Sequence, residues 1–129
     1  MRLLLVEDSR RLTELIVESV HGAGWRIDGV GTLAEAFVTL QCEEHDLLVL
    51  DLGLPDGNGV DLMRKLSSKQ PLFGIALTGF GMEADIRRSR EVGFQHHLVK
   101  PIDLNKLDAL IQESAAAAPT VPNSLAGLV

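Results

Sequence analysis

Short apolar runs alternate along the chain with stretches of helical periodicity. Leu3–Val6 and Leu47–Leu50 are strongly apolar, whereas Ile75–Leu77 and Leu98–Val99 are weaker runs. Runs this short and this apolar are typical of strands that are covered on both faces, as in a parallel sheet. Arg26–Val30 alternates polar and apolar residues, which predicts a strand nearer the edge of the sheet.

Between and after these runs, apolar residues recur at a spacing that predicts five helices. The second helix opens with Thr32-Leu33-Ala34-Glu35, a capping box, and the fifth follows Asp103, a candidate N-cap. The pattern is five βα units, whose right-handed crossovers predict an α/β fold with helices on both faces of a doubly wound sheet.

The helix boundaries and inward faces follow from the same spacing. The predicted helices lie near Ser9–Ala23, Thr32–Leu40, Val60–Ser67, Met82–Val92 and after Asp103, with Gly22 and Gly24 ending the first. The first helix is predicted from the helical spacing of Leu12, Leu15, Ile16 and Val20. The predicted inward residues of the second and fifth helices are Leu33, Ala36, Phe37, Leu40, Leu104, Leu107, Leu110 and Ile111.

Length and charge narrow the class of protein. A chain of 129 residues fits one domain, and we expect that domain at residues 1–115, with 116–129 a flexible tail or linker. The net charge of −6 argues against nucleic acid as a direct partner, because phosphate backbones select basic surfaces. The single cysteine, Cys42, excludes a disulfide framework. It also favours a reducing, cytoplasmic setting. No apolar run approaches the roughly 20 residues of a membrane span, so we expect no membrane association of this chain.

Polar side chains collect where the predicted strands end. Glu7 and Asp8 follow the first strand, Asp51 the third, Thr78 ends the fourth, and Lys100 follows the fifth. The carboxyl ends of parallel strands form the functional crevice of open α/β sheets. Three carboxylates together raise one another's pKa unless a cation neutralises them. Oxygen ligands of this kind favour Mg²⁺ or Mn²⁺.

Each of these residues also has an ordinary structural explanation. Glu7 and Asp8 suit the N-terminus of the following helix, whose dipole favours anions. Asp51 is compatible with a turn after a buried strand, Thr78 with a strand-end hydroxyl, and Lys100 with a solvated lysine. Their joint placement at the ends of four strands favours a functional site.

Four motifs in this order resemble the receiver domain of two-component response regulators, over about residues 2–115. They are Leu-Leu-Val-Glu-Asp-Ser at 4–9, Leu-Val-Leu-Asp-Leu-Gly-Leu-Pro-Asp-Gly-Asn-Gly at 48–59, Ala-Leu-Thr-Gly at 76–79 and Leu-Val-Lys-Pro at 98–101. The resemblance implies a flavodoxin-like fold, a five-stranded parallel sheet of order 2-1-3-4-5 flanked by five helices.

The resemblance also assigns the acidic residues. Asp51 matches the phosphorylated aspartate of the family, and Glu7 and Asp8 match its acidic pair. Mg²⁺ (or Mn²⁺) would be held by Asp8, Asp51 and the main-chain carbonyl of Gly53, with Glu7 acting through a water. The domain would then be a phosphoacceptor switch rather than an enzyme.

The remaining site residues follow from the last two motifs. Thr78 and Lys100 match the hydroxyl and the lysine that contact the phosphoryl group, and Pro101 is a candidate cis peptide. His97 stands where the family usually has a tyrosine or phenylalanine that changes rotamer. A partly exposed histidine is the simpler interpretation; a rotamer switch that can also gain charge is the alternative.

Partners are implied in the same way. The resemblance implies a histidine kinase or phosphotransfer protein as phosphoryl donor, and an output domain or protein that binds the fourth helix, fifth strand and fifth helix. Arg87, Arg88 and Arg90 would belong to that surface, or else form a solvated basic face. A homodimer is left open.

Three alternatives stay open. Residues 76–107 are similar to receivers of hybrid sensor histidine kinases, so the chain could be a piece of such a kinase rather than a stand-alone regulator. A haloacid-dehalogenase-like phosphohydrolase would need a second aspartate where this chain has Gly53. A degenerate receiver that works without phosphate is disfavoured by the intact set Asp8, Asp51, Thr78 and Lys100.

Overall fold

The computed structural model describes residues 1–20, 24–67, 72–79 and 83–117. Seven strands and five helices are present in this part of the chain. In chain order they are β1 (Arg2–Val6), α1 (Arg10–Ser19), β2 (Arg26–Val30), α2 (Leu33–Cys42), β3 (Leu47–Asp51), β4 (Gly53–Leu54), β5 (Gly57–Asn58), α3 (Gly59–Ser67), β6 (Phe73–Thr78), α4 (Glu83–Glu91), β7 (His96–Val99) and α5 (Leu104–Ala117).

Five of the strands form one parallel sheet in the order β2-β1-β3-β6-β7. This is the predicted order 2-1-3-4-5 and confirms the flavodoxin-like doubly wound fold. β2 lies at an edge, as its alternating pattern predicts. The short strands β4 and β5 pair antiparallel in a separate ladder directly after β3, and the hydrophobic pattern did not predict them.

Alternate residues of the central strands pack into two cores, one on each face of the sheet. Leu4, Leu48 and Leu50 pack against α2 and α3 on one face. Leu3, Leu5, Leu47 and Val49 pack against Ile16 of α1 and Leu107 and Ile111 of α5 on the other. Because both faces are covered, β1 and β3 are buried almost throughout, which accounts for their continuous apolar sequence.

The helix starts follow their predicted caps. Thr32 Oγ1 accepts a hydrogen bond from the Glu35 amide at 3.1 Å, and Asp103 Oδ1 accepts from the amides of Asn105 and Lys106. These side chains satisfy amides that have no partner inside the helix.

One prediction about α1 is wrong. The helix ends at Ser19 rather than near Ala23, because Val20 adopts an extended conformation and packs against the core beside α1. Of the residues whose spacing predicted the helix, Leu12 and Ile16 pack against the core, whereas Leu15 is 37% exposed. Gly22, predicted to stop α1, lies outside the described residues.

The C-terminal helix continues to Ala117, and residues 118–129 of the predicted tail lie outside the described residues. The domain boundary at residue 115 stays a prediction. Within the described part of the chain, no helix is long and apolar enough to cross a membrane.

Candidate functional site

One ammonium group bridges two carboxylates at the carboxyl edge of the sheet. Lys100 Nζ lies 2.9 Å from Asp51 Oδ2 and 3.0 Å from Glu7 Oε1. Glu7 directly follows β1, Asp51 is the last residue of β3, and Lys100 directly follows β7. Since these strands are parallel, their ends meet at one edge, and residues distant in sequence form one crevice.

The two bridged carboxylates are buried and partly fixed by the backbone. The side chain of Glu7 is 0% exposed and that of Asp51 6%, against 31% for Lys100. Glu7 Oε2 accepts a hydrogen bond from the Ser9 amide at 3.0 Å, and Asp51 Oδ1 accepts one from the Gly53 amide at 2.9 Å. In both places the backbone turns immediately after the strand, and an amide two residues further on donates to the carboxylate.

Burial and charge oppose each other in this crevice. Burial raises the pKa of Glu7, and the nearby charge of Asp51 raises it further, against the Ser9 amide and Lys100. For Lys100, burial alone would lower the pKa, but the hydrogen bonds to Asp51 and Glu7 outweigh it, so its pKa is raised. The crevice therefore keeps its lysine charged and holds one carboxylate at an energetic disadvantage.

The donor set fits a hard divalent cation. Carboxylate oxygens of Glu7, Asp8 and Asp51 all lie within 4.8 Å of one another. Asp8 is exposed, so the cluster opens to solvent. Glu7 Oε1 is buried and has no hydrogen bond of acceptable geometry among the described residues, although it pairs with Lys100. Such an acidic triad is typical of the magnesium site of receiver domains, and all-oxygen ligation suits that ion.

Thr78 and Lys100 lie on neighbouring strand ends. Thr78 is fully buried, and its hydroxyl donates to the Leu98 carbonyl across 3.4 Å. The Lys100 amide donates to the Thr78 carbonyl at 2.7 Å, so the end of β6 holds the segment that carries the lysine. The Lys100–Pro101 peptide is cis. Gly53 is exposed two residues after Asp51.

The two histidines of β7 have different surroundings. His97 is half-buried and pairs with Ala76 of β6. Burial lowers the pKa of His97, and the charges of Arg90 and His96 lower it further. His96 Nε2 lies 3.2 Å from Glu113 Oε1 on α5.

Two features near the sheet were missed from the sequence. Asp56, in the turn between β4 and β5, accepts hydrogen bonds from the Leu33 and Ala34 amides at the start of α2. At the amino ends of the strands, Arg2 forms ion pairs with the carboxylates of Asp28 and Glu43. Both contacts join segments distant in sequence, and the only local signal was the Pro-Asp-Gly turn at 55–57.

Comparison with known proteins agrees with this geometry. A family model described as "Response regulator receiver domain" matches residues 3–112. The chain is 31% identical over 121 residues to the KDP operon transcriptional regulatory protein KdpE of Escherichia coli (strain K12), covering 90% of this chain and 54% of that protein. It is 36% identical over 110 residues to the two-component response regulator PhoP of Pseudomonas aeruginosa, covering 84% and 49%.

A solved structure gives the same result for the fold. The signal receiver domain of a Luxo repressor protein from Vibrio parahaemolyticus superposes with a TM-score of 0.86 at 27% identity, covering 95% of each chain. The chain spans about half the length of the two curated relatives. Both are named as regulators and not as hybrid kinases, so they lend no support to the hybrid-kinase likeness of residues 76–107.

Proposed function

The chain belongs to the family of response regulator receiver domains, and from that premise we propose that it accepts a phosphoryl group on Asp51 in a reaction that depends on Mg²⁺ or Mn²⁺. Receiver domains accept phosphoryl groups on an aspartate and act as phosphoacceptor switches rather than as enzymes with turnover. Asp51 is proposed as that aspartate because it is the carboxylate that ends the central strand β3.

The bridge from Lys100 Nζ to both Asp51 and Glu7 carries the proposal. It fixes a positive charge against the Asp51 carboxylate, at the position where phosphoryl oxygens would lie after transfer. The exposed Asp8 completes a carboxylate set beside it. A phosphohydrolase of related chemistry would need an acid where the chain has Gly53.

The residues divide the work of phosphoryl transfer. Asp8, Asp51 and the Gly53 carbonyl would hold the cation, with Glu7 acting through a water, and the bound ion would supply the charge neutralisation that an anionic donor needs to approach. An Asp51 carboxylate oxygen attacks phosphorus, an O–P bond forms, and the bond from phosphorus to the donor breaks in line with it. Lys100 exchanges its contact with the carboxylate for the phosphoryl oxygens as a point charge.

Thr78 is proposed to form a hydrogen bond with the phosphoryl group once Asp51 is phosphorylated. Its hydroxyl donates over a long 3.4 Å to the Leu98 carbonyl, a weak hydrogen bond. A phosphoryl oxygen on Asp51 is a stronger acceptor because it is charged. A contact that exists only after phosphorylation biases the domain between two conformations. His97, half-buried on β7, is proposed to change rotamer with it.

The partner surfaces are proposals of the same kind. Receiver domains interact with histidine kinases, and we propose such a kinase, or a phosphotransfer protein, as the cytoplasmic donor. The output contact is proposed on α4, β7 and α5, where Arg87, Arg88 and Arg90 are exposed. A homodimer through the same surface would compete with other partners for it.

Acetyl phosphate with Mg²⁺ tests the assignment of Asp51. The parent protein should gain one phosphoryl group by mass spectrometry, and Asp51→Asn should gain none. Asp61→Asn removes a carboxylate on the exposed start of α3 and serves as the matched control, which should label like the parent. Equal labelling of Asp51→Asn and the parent would overturn the assignment.

A further inference from the structure

We propose that Asp56 is a positioning residue for the metal site, because it ties the loop after Asp51 to the start of α2. The inference rests on the proposed function, since it concerns the cation that the acidic crevice would hold. Asp56 touches neither the phosphoryl group nor the cation; it acts on the loop that carries Gly53.

The tie consists of two hydrogen bonds to one carboxylate. Asp56 Oδ1 accepts from the Leu33 amide at 3.0 Å, and Oδ2 accepts from the Ala34 amide at 3.2 Å. These hydrogen bonds to the backbone, the Leu33 amide first, hold the pKa of Asp56 below its usual range.

Asp56 completes the N-terminus of α2. The first amides of a helix have no partner within it. Thr32 supplies its hydroxyl to the Glu35 amide and its carbonyl to the Ala36 amide. The amides of Leu33 and Ala34 are satisfied by a residue more than 20 positions further along the chain. The capping box is therefore finished by another segment.

Asp56 itself lies in the turn of the small hairpin formed by β4 and β5. β4 and β5 pair Gly53 with Asn58 and Leu54 with Gly57, and the Gly53 amide binds Asp51 Oδ1. Gly57 has a positive φ, and a Cβ there would lie 3.1 Å from Leu33 Cδ1. The loop thus packs closely on α2, and Asp56 fixes its tip at the place of contact.

On the other side, the start of α2 is connected to the acidic pair. Glu35 Oε1 accepts a hydrogen bond from the Gly31 amide at 3.2 Å, and the carbonyl of the preceding residue, Val30, accepts one from the Glu7 amide at 3.0 Å. Asp56 therefore joins the loop that carries Gly53 to the start of α2, which the loop after β2 connects to the Glu7 backbone.

Loss of the tie should weaken cation binding without removing a ligand. We expect Asp56→Ala to weaken Mg²⁺ binding about five- to tenfold, at or below the low end of what outer partners of metal ligands contribute. Asp56→Asn keeps one carbonyl acceptor and should fall between Asp56→Ala and the parent. Asp61→Ala is the matched control, because it removes an exposed carboxylate from the same groove between α2 and α3.

Calorimetric Mg²⁺ titration of the four proteins is paired with amide hydrogen exchange at Leu33 and Ala34. Because coupling is reciprocal, Mg²⁺ should slow exchange of these two amides in the parent and not in Asp56→Ala. Should Asp56→Ala unfold, Asp56→Asn gives the same comparison.

The outcomes separate the inference from the proposed function. If the parent binds Mg²⁺ and Asp56→Ala binds it as tightly as Asp61→Ala, the positioning role falls and the proposed function stands. If the parent binds no Mg²⁺, both fall. If Mg²⁺ does not change the exchange rates of the Leu33 and Ala34 amides in the parent, the positioning role of Asp56 is also wrong.

Discussion

The two ends of the sheet carry charge in opposite ways. At the amino end, Arg2 lies 2.9 Å from Asp28 and 2.7 Å from Glu43, and the buried His45 ring lies 3.0 Å from the same Asp28 carboxylate. Each anion there has a neighbouring positive or hydrogen-bonding group. At the carboxyl end, three carboxylates lie together, and among the residues the structure describes Lys100 pairs with two of them, Glu7 and Asp51.

The pKa directions follow this difference. The hydrogen bond from His45 lowers the pKa of Asp28, and Arg2 assists against the effect of burial. Burial instead raises the pKa of Glu7. Charges that only support the fold are satisfied by the chain itself, whereas the carboxyl end has a deficit of positive charge. That deficit supports our proposal that this end receives a cation.

Replacing Lys100 by methionine should have the largest effect on stability. Glu7 and Asp51 would lose their shared ammonium while staying buried, so the free energy of unfolding should fall by about 2–3 kcal/mol in EDTA. The estimate lies below that for a fully buried pair because Lys100 is partly exposed. Urea unfolding followed by Trp25 fluorescence measures it.

Repeating the Lys100→Met measurement with Mg²⁺ tests whether the lost stability comes from the missing positive charge at the carboxyl end of the sheet. Mg²⁺ should restore a large part of the lost stability, since it supplies the missing charge. Lys106→Met, on the exposed start of α5, is the control and should match the parent. An equal loss in EDTA and in Mg²⁺ would contradict the view that this crevice is a cation site.

Replacing Arg2 by methionine should lower the free energy of unfolding less than Lys100→Met does, because Asp28 keeps His45 as a partner and the pairs are partly exposed. Mg²⁺ should not restore this stability. Arg26→Met removes a weaker pair at 3.6 Å and provides the control, with a change near zero. Recovery of Arg2→Met by Mg²⁺ would show that the two ends are not distinct.

The smallest expected effects appear in the pH dependence of stability without divalent ions. The lowered pKa of Asp28 contributes stability above the usual pKa of an aspartate, and this is lost as pH falls through the folded value. The raised pKa of Glu7 works in reverse: its contribution is complete below the usual pKa of a glutamate and is lost as pH rises through the folded value.

Two amide variants measure these slopes between pH 3 and pH 6. Asp28→Asn should be less stable than the parent at pH 6 and approach it in acid. Glu7→Gln should be more stable than the parent at pH 6 and approach it in acid, since Gln resembles the protonated form. Parallel curves for both variants would show that neither carboxylate is perturbed as described.

Local patterns predicted the main features of the fold. The strand runs, the capping box at Thr32 and the cap at Asp103 depend on neighbours within a few residues, and the structure contains them. The residues that end the strands were also identifiable, because a parallel sheet brings those ends to one edge. The proximity of Glu7, Asp8 and Asp51 needs no more than that topology.

Contacts between distant segments were not predictable in this way. The exposure of Leu15 depends on how α1 sits on the sheet, and the pairing of Arg2 with Glu43 depends on where α2 ends. Asp56 reads locally as a turn residue after Pro55, and its bonds to α2 appear only in three dimensions. The sequence shows a histidine at position 97 where the family usually has tyrosine or phenylalanine, but the lowered pKa of His97 depends on its burial and on Arg90 and His96 in the folded protein.

The position of Lys100 in the chain has a consequence for the order of assembly. Ribosomes release β1 first and β7 last, so Glu7 and Asp51 are synthesised well before the ammonium that pairs with both. A sheet that lacked β7 would hold these carboxylates without that counter-charge. The paired crevice therefore forms only once the ends of β1, β3 and β7 have come together.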